Sequence, residues 1–245
     1  MNLQIFQGHS PELAQSDVNI VIDVIRAFTV AHHAFLRGVK EILLAGTTNE
    51  AFLLKNKYPD YLLAGEIRGL QIAGFDFDNS PKKMAAADIA GRTLVQKTTN
   101  GVRATLNALN ADAVFVTGYS NARTTAEYVK QIIKEGATIN IIASHPDGDD
   151  DLACAEYIQS ILKGNETLSE EEVVKRILTC QAAKKFFDET QPQFDSEDLS
   201  YCIKEIKKEF VMQVFCSGHL PKIVRVNRDE LPRFTASGKR MQAKK

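Results

Sequence analysis

Residues 19–27 read Asn-Ile-Val-Ile-Asp-Val-Ile-Arg-Ala, and this segment decides the fold. Residues 19–24 form a nearly continuous apolar run rich in β-branched side chains, which is typical of a strand buried on both faces of a parallel sheet. Asp23 interrupts the run, and Arg26 follows it directly. Because α/β proteins bind ligands beyond the carboxyl ends of their strands, the segment predicts a buried strand and, at its end, a candidate site.

Strand-like and helix-like segments alternate from this run to residue 165. Further strands are predicted at residues 41–45, 61–64, 93–99, 113–117 and 138–143. Helices are predicted at residues 28–38, 47–57, 81–89, 101–109, 121–134 and 151–162. This alternation implies right-handed crossovers and a mostly parallel sheet with helices on both faces. The predicted fold class is therefore a three-layer α/β/α domain over residues 1–165.

The pattern changes after residue 165, where charge is dense and motifs are few. Residues 169–187 predict a long amphipathic helix, and residues 196–209 predict a second one. Two short strands are predicted at residues 211–215 and 223–226. We interpret residues 166–236 as a helix-rich C-terminal part that packs on the α/β domain or on a second subunit, and residues 237–245 as a flexible basic tail.

Composition excludes several classes of partner. The 245 residues include 30 basic and 31 acidic side chains, a formal net charge of -1, so we expect neither nucleic acid nor a membrane as a partner. The sequence has no apolar run of about 20 residues and no signal-peptide pattern at its start. The four cysteines form no Cys-x-x-Cys pair. A cytoplasmic protein with reduced thiols is expected.

The predicted strand ends collect carboxylates and groups that bind anions. Carboxylate oxygens are the ligands that Mg²⁺ prefers. Arginine pairs with phosphate or sulfonate through parallel N–H donors, and a helix start offers free backbone N–H groups to an anion. The candidate site residues are Asp23, Arg26, Glu66, Arg68, Asp76, Asn79, Ser80, Asn100, Gly101, Asn121 and Asp151.

Each of these features also has a purely structural interpretation. Asp23 with Arg26 could form a structural ion pair, and Glu66 with Arg68 a surface pair. Residues 79–81 could be a turn, and residues 98–101 and 149–151 could be helix caps. The placement of all these groups at successive strand ends favours the functional interpretation.

Taken in order, the motifs resemble the 2-phosphosulfolactate phosphatase family, the ComB type of coenzyme M biosynthesis. The resemblance rests on residues 22–27 (IDVIRA), 65–69 (GEIRG), 74–81 (GFDFDNSP), 98–102 (TTNGV), Asn121 with Ala122, and Asp150 with Asp151. It covers roughly residues 18–165, and a set of motifs in a fixed order is more specific than any one of them.

The resemblance implies a Mg²⁺-dependent phosphatase that converts 2-phosphosulfolactate to 3-sulfolactate and phosphate. It implies catalytic roles for Asp23, Arg26, Glu66 and Asp76, and metal binding by Asp23, Glu66, Asp76 and Asp151. It implies substrate binding by Arg68, Asn79, Ser80, Asn100, Gly101 and Asn121. The expected partner is a small phosphorylated acid, and a homodimer is expected from the frequency of dimers among soluble enzymes.

Two alternatives stay open at the level of sequence. The motifs depart from the family pattern at Leu70, Asp78 and Val102, and with these changes the chain could be a non-catalytic protein that binds a small phosphorylated or sulfonated ligand. Asp76-Phe77-Asp78 could also be the acidic pair of a haloacid-dehalogenase-type phosphatase. That chemistry needs the acids at the tip of a buried apolar strand, and residues 70–75 do not predict one.

Overall fold

The computed structural model describes residues 1–165, 167–216 and 220–230. Ten strands of this part form one sheet. They are β1 Asn2–Gln7, β2 Ser16–Ile22, β3 Glu41–Leu44, β4 Leu62–Ile67, β5 Leu70–Gln71, β6 Thr93–Lys97, β7 Ala111–Thr117, β8 Thr138–Ala143, β9 Phe210–Phe215 and β10 Lys222–Asn227. Strand β1 was not predicted from the sequence; the other long strands were.

The helices follow the predicted alternation up to residue 165. In the described ranges they are α1 Ala27–Leu36, α2 Thr48–Lys57, α3 Pro81–Ala86, α4 Gly101–Asn107, α5 Ala122–Ile132, α6 Asp149–Lys163, α7 Glu170–Thr179, α8 Gln181–Lys184 and α9 Glu197–Cys202. Single 3₁₀ turns occupy Tyr119–Asn121 and Lys185–Phe187.

Helix starts agree with their sequence signals. Thr47 and Glu50 form a reciprocal capping box at α2. Ser80 caps α3 with Pro81 at its first position, and Ser169 caps α7 by accepting from the Glu172 amide at 3.2 Å. Short polar side chains at these positions satisfy amides that have no partner inside the helix.

Both predicted C-terminal helices are shorter than expected. The predicted helix 169–187 breaks at Cys180, whose backbone is extended at φ -65° and ψ 162°. The predicted helix 196–209 ends at Cys202, and the Ile206 amide bonds to the Ser120 carbonyl at 2.8 Å instead of continuing the helix. Tertiary hydrogen bonding overrides the amphipathic pattern there.

Helices cover both faces of the sheet, as predicted. Helices α1, α3 and α4 pack on one face, against Val21, Val114 and the inner side chains of β3 and β9. Helices α5, α6 and α7 pack on the other face, against β2, β7 and β8. Helix α2 covers the outer strands β4 and β6 through a smaller cluster. The α/β class with a mostly parallel sheet is confirmed.

The sheet contains two parallel blocks that run in opposite directions. Its order is β1-β8-β2-β7-β9-β10-β3-β6-β4-β5, and β9 is antiparallel to β7 while β10 is antiparallel to both β9 and β3. Because neighbouring strands of a sheet twist relative to each other, strand ends of the two blocks can still approach. The ends of β2 and β8 meet where Ser144 lies 3.4 Å from Asp23. The ends of β4 and β6 reach the same place, since Thr99 after β6 bonds to Glu66 and Gly101 lies against Asp23.

The C-terminal part is built into the sheet. Strands β9 and β10 lie at its centre, where they join the two parallel blocks, so this part contributes core strands as well as packed helices. The basic tail predicted at 237–245 lies outside the described residues. No helix in the described ranges has the length and apolar content that a membrane crossing needs.

Candidate active site

A cluster of buried carboxylates lies where β2 and β8 end. Asp23 accepts a hydrogen bond from the Ala27 amide at 2.8 Å, and Asp151 accepts one from the Val24 amide at 2.7 Å. The Ser144 hydroxyl lies 3.0 Å from Asp151 Oδ2 and 3.4 Å from Asp23 Oδ2. Because a hydroxyl has one proton to donate, Ser144 can bond to only one of these two carboxylates at a time.

Asp150 completes this cluster, although it was not among the predicted site residues. Its Oδ2 accepts from the Ile25 amide at 3.3 Å, whereas its buried Oδ1 has no hydrogen-bond partner. A buried carboxylate oxygen without a partner is costly. The sequence signal for Asp150 was its place in the acidic run at the start of α6, where its neighbour Asp151 was chosen instead.

Burial raises the pKa of every carboxyl in this cluster. It raises the pKa of Asp23 to about 6, opposed by the Ala27 amide and reinforced by the nearby charges of Asp150 and Glu66. Burial also raises the pKa of Asp150 and, together with the charges of Asp150 and Asp23, raises the pKa of Asp151 well above its usual range. The negative charges therefore oppose one another unless a cation joins them.

Glu66 at the end of β4 is fixed by two loops. It accepts hydrogen bonds from the Gly69 amide and from both the amide and the hydroxyl of Thr99, the hydroxyl at 3.0 Å. The Thr99 hydroxyl in turn accepts from the Arg68 amide at 3.0 Å. Arg68 has a φ of 54°, which turns the chain so that its side chain is exposed beside Glu66.

Gly101 at the start of α4 positions Asp23. A Cβ on Gly101 would lie 2.7 Å from Asp23 Oδ2, so only glycine allows this approach. The Gly101 amide lowers the pKa of Asp23, and the Val102 amide donates to the Thr98 hydroxyl at 3.0 Å. The helix start at Asn100 and Gly101 was predicted to bind the substrate, and in the structure it lies against Asp23. Asn100 precedes them, and its side chain makes no capping bond.

Arg26 reaches the site from the start of α1, but its partner is neither Asp23 nor any other residue of its own motif. Its guanidinium pairs with Asp198 at 2.7 Å and donates to the Gly69 carbonyl at 3.1 Å. Asp198 is 1% exposed and lies on α9, 172 residues away along the chain. The Asp23–Arg26 ion pair considered from the sequence is therefore wrong, and no motif marked Asp198.

Asp198 also fixes the segment that carries Asn79 and Ser80. Its other oxygen accepts from the Ser80 hydroxyl at 2.5 Å and from the Lys82 amide at 3.2 Å. This segment pairs with β4 in parallel through Phe77, which brings Asn79 toward the carboxyl end of that strand. The Oδ1 atom of Asn79 is buried and has no hydrogen-bond partner.

The structure does not bring Asp76 or Asn121 to the cluster. Asp76 is 34% exposed and accepts from the Leu63 amide at 2.7 Å, near the start of β4 rather than its end. Asn121 lies in the interior, where its side chain bonds to Thr117 at 2.9 Å and Thr125 at 3.3 Å. We therefore remove Asp76 from the predicted metal and catalytic set, and Asn121 from the predicted substrate-binding set.

The same geometry excludes the haloacid-dehalogenase alternative. Asp78 pairs with Lys83 at 2.6 Å and accepts from the Ser80 amide at 3.0 Å. With Asp76 at the start of β4, neither acid lies at the tip of a buried strand.

Comparison with known proteins decides the family. The family model described as 2-phosphosulpholactate phosphatase matches residues 5–215. The chain belongs to this family. The resemblance stated from the motifs is thereby confirmed, and the family is one of phosphoric monoester hydrolases.

Relatives of the family agree with this placement. A protein of Bacillus subtilis (strain 168), named probable 2-phosphosulfolactate phosphatase, is 57% identical over 226 residues, which cover 92% of this chain and 99% of the relative. A protein of the same name from Clostridium perfringens (strain SM101 / Type A) is 33% identical over 168 residues, 67% of this chain and 68% of the relative. A third protein of this name, from Deinococcus radiodurans, is 38% identical over 156 residues, which cover 62% of this chain and 64% of the relative.

The oxygen donors of the carboxylate cluster are of the kind that a hard divalent cation prefers. In the described ranges no group of three His, Cys, Asp or Glu side chains is already arranged to hold a metal ion. Oxygen donors are nevertheless present. Asp150 Oδ1 is buried without a partner among carboxylates whose charges oppose one another, and Asn79 Oδ1, two residues after the bridge to β4, is also buried without a partner. Mg²⁺ prefers such oxygen ligands and keeps several waters of its own.

Proposed function

We propose that this protein is a Mg²⁺-dependent phosphatase that hydrolyses 2-phosphosulfolactate to 3-sulfolactate and phosphate. The observation that carries the proposal is the buried cluster of Asp23, Asp150 and Asp151, which lies next to Glu66 and to the cation Arg26. Its family membership and its relatives' names support the substrate.

Asp150, Asp151 and Glu66 are the residues that would hold the metal ion, with the carboxylate of Asp23 beside them. When bound, Mg²⁺ would neutralise phosphate oxygens and make a water molecule more acidic. This set differs from the one implied by the motifs, because Asp150 takes the place of Asp76 and Asp23 serves as a base instead of a ligand. Asp150 lies in the carboxylate cluster with its Oδ1 atom unbonded, whereas Asp76 lies away from the cluster, near the start of β4, where it bonds to Leu63 and Lys55.

The remaining residues bind and orient the substrate. Arg26 keeps further N–H donors beyond the two that bond to Asp198 and Gly69. The exposed guanidinium of Arg68 and the side chain of Asn100 lie on the loops that carry Glu66 and Gly101. We assign these three side chains to the anionic groups of the substrate, where they would stabilise charge that develops during phosphoryl transfer.

Asp23 is the candidate general base. Its pKa of about 6 leaves the carboxylate mostly ionised at neutral pH yet basic enough to accept a proton. The proton of the attacking water would pass to Oδ2, the oxygen that faces Ser144 and Gly101. Oδ1 is held by the Ala27 amide, which fixes the direction in which the carboxylate points.

Phosphate release from small phospho-acids tests the proposal. We expect release from 2-phosphosulfolactate that requires Mg²⁺ and stops with chelator. Asp150→Asn should lower kcat/KM by about 100-fold or more, whereas Asp76→Asn, which also removes one carboxylate, should retain most activity. Equal losses in the two variants, or release that resists chelator, would contradict the assigned site. A folded protein that binds the anions without releasing phosphate would instead be the non-catalytic binder.

The cytoplasmic location, the homodimer and a place in coenzyme M biosynthesis stay predictions. Gel filtration with light scattering measures the second of these directly.

A further inference from the structure

Lys185 enters the site from the C-terminal part of the chain. It begins the 3₁₀ turn Lys185–Phe187, and its Nζ lies 4.6 Å from the ring centre of Phe194 and 5.6 Å from that of Phe186. A Cβ placed on Gly69 would lie 3.0 Å from the same Nζ. The ammonium therefore packs against the turn that follows β4, where Gly69 donates its amide to Glu66.

Lys185 and Arg26 share these surroundings but not a counterion. The Arg26 guanidinium lies 5.0 Å from the ring centre of Phe186 and 5.8 Å from that of Phe194, and it also bonds to Gly69. Arg26 has Asp198 as its partner, whereas no carboxylate of residues 1–165, 167–216 or 220–230 forms an ion pair with Lys185. Lys185 is thus a cation of the site that forms no direct ion pair with the described residues.

The charges around Lys185 keep it beside the carboxylate cluster. Burial and the charge of Arg26 lower the pKa of Lys185, while Glu66, Asp150 and Asp23 raise it. Because no carboxylate bonds directly to this partly buried ammonium, a ligand anion in contact with it would replace the water that it has lost. The two phenylalanine rings offset part of this loss, because cation–π contacts stabilise an ammonium that has lost water. An anion bound at this position would supply the missing partner.

The substrate of the proposed function carries anionic groups beyond the phosphate that reacts. 2-Phosphosulfolactate carries a carboxylate and a sulfonate in addition to the phosphate that the carboxylate cluster and its metal ion would engage. A planar carboxylate matches the fork of an arginine, such as the exposed Arg68. A sulfonate presents three equivalent oxygens, which suit the compact, three-donor ammonium of a lysine.

We propose that Lys185 binds the sulfonate of the substrate and thereby selects sulfonated phospho-acids. This inference rests on the proposed function and adds to it the residue that determines specificity. Because the lysine comes from the C-terminal part, substrate selection would depend on a segment that lies outside all the recognised motifs.

Binding of the reaction product to the Mg²⁺-loaded protein tests the inference independently of turnover. The probes are 3-sulfolactate and lactate, which differ by the sulfonate, measured by isothermal titration calorimetry. Lys185→Met should weaken 3-sulfolactate binding by about 10-fold to 100-fold, the effect of losing a charge-assisted hydrogen bond, and should leave lactate binding unchanged. Lys184→Met, the matched change at the exposed neighbouring lysine, should alter neither. Lys185→Arg should restore part of the affinity.

Activity measurements separate this inference from the proposed function. Lys185→Met should raise KM for 2-phosphosulfolactate and leave the kinetics of 2-phospholactate, which lacks the sulfonate, unchanged. If the wild type hydrolyses neither compound but binds 3-sulfolactate through Lys185, the proposed function fails and the inference stands. If both lysine variants bind 3-sulfolactate as the wild type does, the inference is overturned whatever the activity. If circular dichroism shows that Lys185→Met does not fold, Lys185→Gln takes its place in these comparisons.

Discussion

Replacing Asp23 by asparagine should change how the stability of the protein depends on pH. Burial raises the pKa of Asp23 from an ordinary value of 3.8 to about 6 in the folded protein. Between these two values the unfolded chain releases the proton while the folded protein keeps it. Stability therefore falls as the pH rises through this window, and it stays at the lower level above pH 6.

The size of this effect follows from the two pKa values. The interval from 3.8 to about 6, at 1.36 kcal/mol for each pH unit, corresponds to about 3 kcal/mol in the free energy of unfolding. Most of it, about 2–3 kcal/mol, is lost between pH 4 and pH 7.5. The asparagine variant has no carboxyl to titrate. Its stability relative to the wild type should therefore improve by that amount over the same range, whatever the substitution does to the hydrogen bond from Ala27 and the contact with Gly101.

Urea unfolding of both proteins with chelator, at pH 4 and at pH 7.5, measures this change. Asp60→Asn is the control for the loss of one negative charge, because it removes an exposed carboxylate before the start of β4. A difference between Asp23→Asn and wild type that is the same at both pH values would refute the reasoning. So would a change in the opposite direction. Added Mg²⁺ should stabilise the wild type at pH 7.5 more than the variant, since ligands stabilise the state that binds them.

Two further substitutions test contacts that position the site. Asp198→Ala should lower the free energy of unfolding by about 3–5 kcal/mol in urea, because Arg26 would stay buried without its partner; a loss below 1 kcal/mol would mean that the pair is not important for stability. Gly101→Ala gains helix propensity of about 1 kcal/mol, but its Cβ would meet Asp23 Oδ2 at 2.7 Å. It should therefore reduce phosphate release at least tenfold while circular dichroism stays unchanged, and full activity would show that Asp23 tolerates displacement.

Much of the local structure could be predicted because its causes are local. The apolar run that contains Val21 makes a buried strand, and the alternation of such runs with amphipathic segments makes layers. The helix starts at Thr47, Ser80 and Ser169 needed only the cap residue and its neighbours. The positions of Asp23 and Glu66 at strand ends could also be predicted, because each lies in or directly after the apolar run that forms its strand.

The candidate site was harder to predict where its members come from distant parts of the chain. The sequence placed Asp76 with Glu66 because both follow β4, but the segment after β5 turns back and runs beside β4, so that Asp76 lies near its start. Asp150 and Asp151 were indistinguishable as neighbours in an acidic run. Only packing shows that Asp150 keeps a free buried oxygen while both oxygens of Asp151 are bonded.

The sequence by itself determined the α/β class, the strand ends that carry Asp23 and Glu66, and the family. Tertiary structure alone decided the order of the strands, with β9 and β10 between the two parallel blocks, and the pairing of Arg26 with Asp198. The physical reason is the separation along the chain over which each cause acts. Apolar periodicity and capping act over a few residues. A sheet order, or a contact between residues 172 positions apart, depends on how the whole chain packs.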